Sequence, residues 1–198
     1  MFRGMGLPGA SIRFMRGHGW ALAASACLLI GLPAAPSVAD EQRAGGVPQA
    51  HVIGDSVILG ASDALASRGM DVDAVSGRRP TRLPGAVRKL PDDGRPVVVH
   101  LGTNGPFSTY VCDRLQHVVG DTRAVVLVTV VAPRTWTRET NDEIRQCADR
   151  IGAAIVPWHR LALKSPDTLY PDGIHLTPAG AQVLVEAVEP AVADIDAA

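Results

Sequence analysis

HVIGDSVILGA, residues 51–61, decides how this chain is read. Its apolar run reaches Gly54-Asp55-Ser56 and leaves as a segment with Val57, Ile58, Ala61 and Leu65 at helical spacing. A short apolar run closed by glycine reads as a buried strand, and the pattern after it reads as a helix spanning 56–68. Ser56 then stands on the corner between the two. A serine hydroxyl is a weak nucleophile until a neighbouring base takes its proton. The first N–H groups of a helix also attract an anion. The plainer alternative is a helix cap supplied by Asp55 or Ser56.

Downstream the same alternation recurs. Asp71 to Val75 reads as a short second strand. Residues 78–84 are polar and proline-containing, with a short helix expected up to Leu90, and Pro91-Asp92-Asp93-Gly94 is a turn. Val97 to Leu101 is almost continuously apolar, as a strand covered on both faces should be. A helix is expected over 106–119, and AVVLVTVV, residues 124–131, is the strongest strand in the chain. Thr140 and Glu143 have capping-box spacing at the start of a helix reaching Ile151. Ala153 to Val156 is a fifth strand. A closing helix over 177–188 has Thr177 as cap and Pro178 at its first position, and Pro190 should end or kink it. Strands alternating with helices imply crossover connections and a parallel sheet. The expected architecture is therefore α/β: a three-layer α/β/α sandwich around about five parallel strands.

The first 39 residues belong to a different class of sequence. Arg3, Arg13 and Arg16 precede an apolar stretch from Trp20 to Leu32, and Ser37-Val38-Ala39 offers small residues for cleavage. This is the layout of a secretory signal peptide, with an uncleaved anchor as the alternative. Residues 40–49 read as a polar lead-in and 50–198 as the folded domain. Gly4, Gly6 and Gly9 fit a dinucleotide-binding spacing, but they follow no strand and leave with the leader. Past residue 39 there are 16 cationic and 20 anionic side chains, a net charge of −4. There is no basic run, which argues against nucleic acid and against an anionic membrane as partners. No stable membrane insertion is expected once the leader is gone, and the mature domain is expected to be periplasmic or secreted. Cys112 and Cys147 form an even pair in an oxidising compartment, so a disulfide is expected; two buried free thiols are the alternative. Their spacing to histidines does not suggest a zinc site. Neither a metal nor a cofactor is expected.

In open parallel sheets, ligands bind beyond the carboxyl ends of the strands. The residues just after each strand are therefore the candidates. Ser56 follows the first strand. Ser76-Gly77-Arg78 follows the second, where Gly77 allows a close backbone approach and its N–H can donate; a plain turn glycine is the alternative, and Arg78 and Arg79 read as solvated. Gly102-Thr103-Asn104-Gly105 follows the third. Asn104 can aim its amide at a developing oxyanion or simply shape a turn. The fifth strand leads to Asp172-Gly173-Ile174-His175. Asp172, three residues before His175, can fix its tautomer while the other ring nitrogen takes the serine proton. His159 is the rival base.

With Gly54-Asp55-Ser56, Gly77, Gly102-Thr103-Asn104 and Asp172/His175 in this chain order, the sequence resembles the SGNH (GDSL-like) hydrolase superfamily from about His51 to the closing helix. The resemblance implies a flavodoxin-like fold with Ser56 as nucleophile, His175 as base and Asp172 as its orienting partner. It implies an oxyanion hole made by the Ser56 N–H, the Gly77 N–H and the Asn104 side chain. VVVHLGTNG (97–105), VVAPRTW (130–136) and DGIHLTPAG (172–180) resemble the extracytoplasmic SGNH domains attached to membrane acyltransferases that O-acetylate cell-wall glycans. Trp136 either walls such a site or packs a loop. The resemblance thus implies a serine esterase that cleaves small acyl esters, with acetyl foremost, or acyl transfer to a glycan hydroxyl; its partner is a small acyl ester or an O-acylated glycan. A non-catalytic glycan-binding module on the same fold is the rival from another class.

Overall fold

The computed structural model describes residues 49–196; the expected leader and most of the lead-in lie outside them. Strand β1 (His51–Gly54) is followed by helices α1 (Ser56–Leu59) and α2 (Ser62–Ala66), then β2 (Asp71–Ala74). A single 3₁₀ turn (Pro80–Arg82) leads into α3 (Leu83–Val87) and β3 (Val97–His100). Next come α4 (Thr109–Val119), β4 (Val125–Val128), α5 (Thr137–Ile151), β5 (Ala154–Val156), α6 (Trp158–Lys164) and α7 (Pro178–Asp196). The five strands are all parallel, in the order β2-β1-β3-β4-β5. Gly54, the last residue of β1, pairs with Ala74 on one side and His100 on the other. The chain thus leaves β1 at the point where strand order reverses, the place where such sheets hold their ligands.

Strand side chains alternate between two cores. Val52, Val98 and Val126 meet α1, α2, α6 and α7 on one face. Ile53, Val97, Val99, Val125 and Leu127 meet α3, α4 and α5 on the other. Within this second core the Cys112–Cys147 disulfide joins α4 to α5, with Cα atoms 5.7 Å apart. At the amino end of the sheet, the buried His51 contacts the Asp93 carboxylate, which also receives Arg95. Among the described residues no helix is long and apolar enough to cross a membrane.

Several elements depart from the expected boundaries, each for a physical reason. The helix expected over 56–68 is broken in two at Gly60, whose N–H closes α1 on the Ser56 carbonyl at 3.1 Å. Strand β4 stops at Val128 because the Asn141 side chain takes over the ladder. Its Oδ1 accepts the Val130 N–H at 2.7 Å and its Nδ2 donates to the Val130 carbonyl at 2.9 Å. Helix α5 starts at Thr137, so Thr140 is an interior residue, fully buried, whose hydroxyl accepts the Phe107 N–H at 3.2 Å. Glu143 accepts from Thr109 instead, at 3.0 Å. Helix α6 was not expected; its first residue, Trp158, is completely buried and anchors it in the core. Pro190 neither ends nor interrupts α7. An interior proline costs a helix about 3 kcal/mol, but the buried Leu184, Val185, Val188 and Val192 flank it. Each such burial contributes roughly 1.5–3 kcal/mol, which outweighs the proline.

Candidate active site

The corner after β1 is tight. A Cβ on Gly54 would lie 2.2 Å from Ile58 Cγ1, so only glycine lets α1 fold back this closely. Asp55, with no exposed surface, caps α1 through Oδ1, which accepts the Val57 N–H at 3.0 Å. The cap is thus supplied by Asp55, and the Ser56 hydroxyl is left for another partner. That partner is His175: its Nε2 lies 3.1 Å from Ser56 Oγ.

His175 rides on a pinned loop between α6 and α7. Leu169 and Leu176 form an antiparallel bridge, and the Tyr170 N–H donates to the His175 carbonyl at 2.8 Å. The Thr177 N–H donates to the Thr168 carbonyl at 3.0 Å, and Thr177 Oγ1 accepts the Gly180 N–H at 3.0 Å as the α7 cap. Asp172 Oδ1 accepts the N–H groups of Ile174 at 2.9 Å and His175 at 3.0 Å, while Oδ2 faces His175 Nδ1 at 2.6 Å. A carboxylate only accepts, so Nδ1 carries the proton and the Nε2 lone pair faces the serine. The His175 hydrogen bond, aided by those two backbone N–H groups, holds the Asp172 carboxyl down at about 2. The histidine and aspartate side chains are 47% and 45% exposed, so the site is open to water and to large molecules alike.

The third strand's loop joins this corner from behind. The Thr103 hydroxyl donates to Asp55 Oδ2, and Asn104 Nδ2 contacts the same oxygen at 3.3 Å and Thr103 Oγ1 at 3.0 Å. An amide nitrogen has two protons; one serves these acceptors, leaving the other for a ligand. Burial would push the Asp55 carboxyl up, but the imidazole of His100 (Nδ1 3.7 Å away), the Thr103 hydroxyl and the Val57 N–H together hold it below the ordinary value. His100 itself is fully buried and has no hydrogen-bond partner among the described residues. Gly102 has φ +149°, and a Cβ there would lie 2.7 Å from Thr140 Cγ2. Its carbonyl accepts the Trp136 indole N–H at 3.0 Å, so Trp136 braces the loop that carries Asn104.

Gly77, φ +72°, lies exposed beyond β2, and no hydrogen bond among the described residues ties its N–H to Ser56. Its neighbour Arg78 is not solvated as expected: only 10% of its side chain is exposed. It donates to the Asp73 carboxylate at 2.6 Å and to the Gly54 carbonyl at 3.3 Å, fastening the Gly77 loop to β1. The structure therefore brings Ser56, His175 and Asp172 into one hydrogen-bonded line, and Asn104 to it through Asp55. His159, the rival base, is the second residue of α6, and its backbone N–H is held by Thr129 Oγ1 at 3.0 Å. Among the described residues, no group of three or more histidine, cysteine or carboxylate side chains gathers as metal ligands would.

No family model matches the chain. Over 149 residues, 70% of this chain, it is 32% identical to the peptidoglycan O-acetyltransferase OatA of Listeria monocytogenes, and it spans only 23% of that relative's length. The C-terminal catalytic domain of Streptococcus pneumoniae OatA, solved with a methylsulfonyl adduct, superposes with a TM-score of 0.58 at 22% identity, covering 74% of this chain and 94% of that one. A GDSL-like lipase from Bacteroides thetaiotaomicron superposes with a TM-score of 0.53 at 18% identity, covering 79% of this chain and 96% of that one. The fold is thus that of GDSL-type hydrolases, and the sequence likeness extends over most of the described residues. In fold the chain groups with the GDSL-type hydrolases.

Proposed function

We propose that this domain is a serine esterase that cleaves small acyl esters, acetyl foremost, through an acyl-enzyme. Ser56 Oγ attacks the ester carbonyl as His175 Nε2 takes its proton. Asp172 keeps Nδ1–H in place and stabilises the imidazolium that forms. The Ser56 N–H, the Gly77 N–H and the Asn104 amide receive the oxyanion. His175 then returns its proton to the leaving alkoxide, and water, activated the same way, releases the acid. The observation that carries this reading is the continuous line from Asp172 through His175 to Ser56, at 2.6 and 3.1 Å. A leader over residues 1–39 would place the domain outside the cytoplasm, where cell-wall glycans are.

A second reading replaces the water by a sugar hydroxyl, giving O-acetyl transfer onto a cell-wall glycan. The likeness to OatA favours it, and the half-exposed His175 leaves room for a sugar acceptor. The two are separated by incubating the protein with p-nitrophenyl acetate, with and without an N-acetylglucosamine oligomer. Acetate as the sole acetyl-bearing product beside p-nitrophenol supports the esterase; an O-acetylated oligomer by mass spectrometry establishes transfer.

Asn104→Ala is expected to lower kcat by about 10²-fold, the usual effect of losing one oxyanion donor. The assay is p-nitrophenyl acetate turnover beside an unchanged circular dichroism spectrum; unchanged turnover removes the amide from the oxyanion site. The pH profile of kcat/KM should have an acid limb, because an imidazolium cannot accept the serine proton. Asp172, titrating at about 2, stays ionised throughout that limb. A limb centred at pH 3 or below would therefore assign the titration to the carboxylate and overturn the role given to His175.

A further inference from the structure

Away from Ser56, the fold gathers arginines that the sequence scatters. A groove of about 270 Å³ between α3 and α4 is lined by Arg82, Arg88, Arg114 and Tyr110, and by no carboxylate. Elsewhere Arg68, Arg78, Arg95, Arg123, Arg145 and Arg150 each reach a carboxylate, while Arg79, Arg134, Arg138 and Arg160 are unpaired among the described residues but line no groove with one another. Among the described residues the three groove arginines form no ion pair, and Asp113 beside Arg114 is taken by Arg150 at 3.0 Å. Cations lining one groove with no counter-charge repel one another, and an anion entering the groove relieves that repulsion. Tyr110, 64% exposed, is the most exposed large apolar side chain among the described residues.

We propose that this groove binds the carboxylate-bearing sugar of an acidic glycan, the carrier or recipient of the acyl group; the assignment of that role rests on the acyl-ester reading above. Guanidinium forks match a carboxylate bidentately, and the tyrosine ring offers a flat apolar face to a sugar. The volume, just under the roughly 300–1,000 Å³ of drug-sized sites, suits one ring of a longer chain. The groove also starts at the right place. Thr81 and Arg82 lie on the segment leaving Gly77, and Tyr110 lies on the segment leaving Asn104. These two segments meet where a Cβ on Gly105 would lie 4.0 Å from Pro80 Cδ.

Guanidinium groups also take phosphate, so the test has separate arms. The full chain carrying Ser56→Ala, which removes the nucleophile, is titrated by NMR with trigalacturonate, with the neutral N-acetylglucosamine trimer and with glycerol 3-phosphate. Trigalacturonate should shift the backbone amides of residues 81–88 and 110–114. Its Kd should rise about tenfold or more in Arg82→Gln/Arg114→Gln, the loss of at least one charge-assisted contact, and also rise in Tyr110→Ala. Absent shifts, or equal binding of the neutral trimer, would overturn the proposal. Glycerol 3-phosphate binding as tightly and independently of Tyr110 would overturn the sugar assignment. Turnover of p-nitrophenyl acetate by the chain with Ser56 intact should not change in the arginine pair variant. That turnover in the unsubstituted protein tests the ester chemistry separately, since a small neutral ester has no use for the groove.

Discussion

Ser56→Ala is expected to lower kcat for p-nitrophenyl acetate by about 10⁴-fold or more, leaving only what an oxyanion site and binding can supply. The expectation follows from the electron pair. In this pathway the ester carbonyl is attacked by Ser56 Oγ, the atom that His175 Nε2 faces at 3.1 Å. Without it, His175 could at best activate water directly, with no acyl intermediate to divide the barrier. Stability should hardly move. Ser56 is half-buried, and the one side-chain contact described for it is His175, so the change in Tm should stay within about 2 °C. A fluorophosphonate probe should label the unsubstituted protein and not the variant. Adding His175→Ala to Ser56→Ala should cost almost nothing further, because residues acting as one unit are not additive. An unlabelled unsubstituted protein with no turnover would instead favour the glycan-binding module.

How much of this was legible in the sequence depended on the range of the interaction. The strands were readable from local composition: VVVH and VVLV are covered on both faces, so they need no alternation. Once the sheet is parallel, every strand end lies on one rim, which is why Ser56, Gly77 and Asn104 became candidates from their place after a strand, while the roles expected of them came from the resemblance. Side chains that substitute for backbone were not legible. Nothing local says that Asn141 will pair with Val130. Likewise Thr140 looks like a cap, yet it is drawn inside by Phe107. Arg78 stands beside Arg79 and reads as solvated, but besides Asp73 it holds the carbonyl of Gly54, distant in the chain. Asp55 had a local signature as a cap, whereas its buried contacts to Thr103 and Asn104 required the third strand to be in place.

Gly180→Ala should be strongly destabilising, against the usual rule for helices. Alanine in place of glycine inside a helix ordinarily gains about 1 kcal/mol. Here the added Cβ would lie 1.8 Å from the Thr168 carbonyl oxygen, an overlap with backbone rather than with a flexible side chain. Neither partner can yield cheaply. The Thr168 carbonyl accepts the Thr177 N–H, and its hydroxyl donates to the Ala162 carbonyl at 2.8 Å. On the other side α7 is fixed by Leu184 and Val185, both with no exposed surface. Relief requires the helix start to tilt away or the 168–177 loop to lift, at a cost of about 3 kcal/mol or more. Tm should then fall by roughly 6–12 °C for a domain of this size. Either movement also shifts His175, which hangs between Tyr170 and Thr177. At a temperature where the variant stays folded, kcat should fall by about 10²-fold, the effect of a misplacement near 1 Å, with KM changed less. A raised Tm would show that Thr168 and the start of α7 do not meet as described, and normal kcat with lowered Tm would release His175 from dependence on that contact.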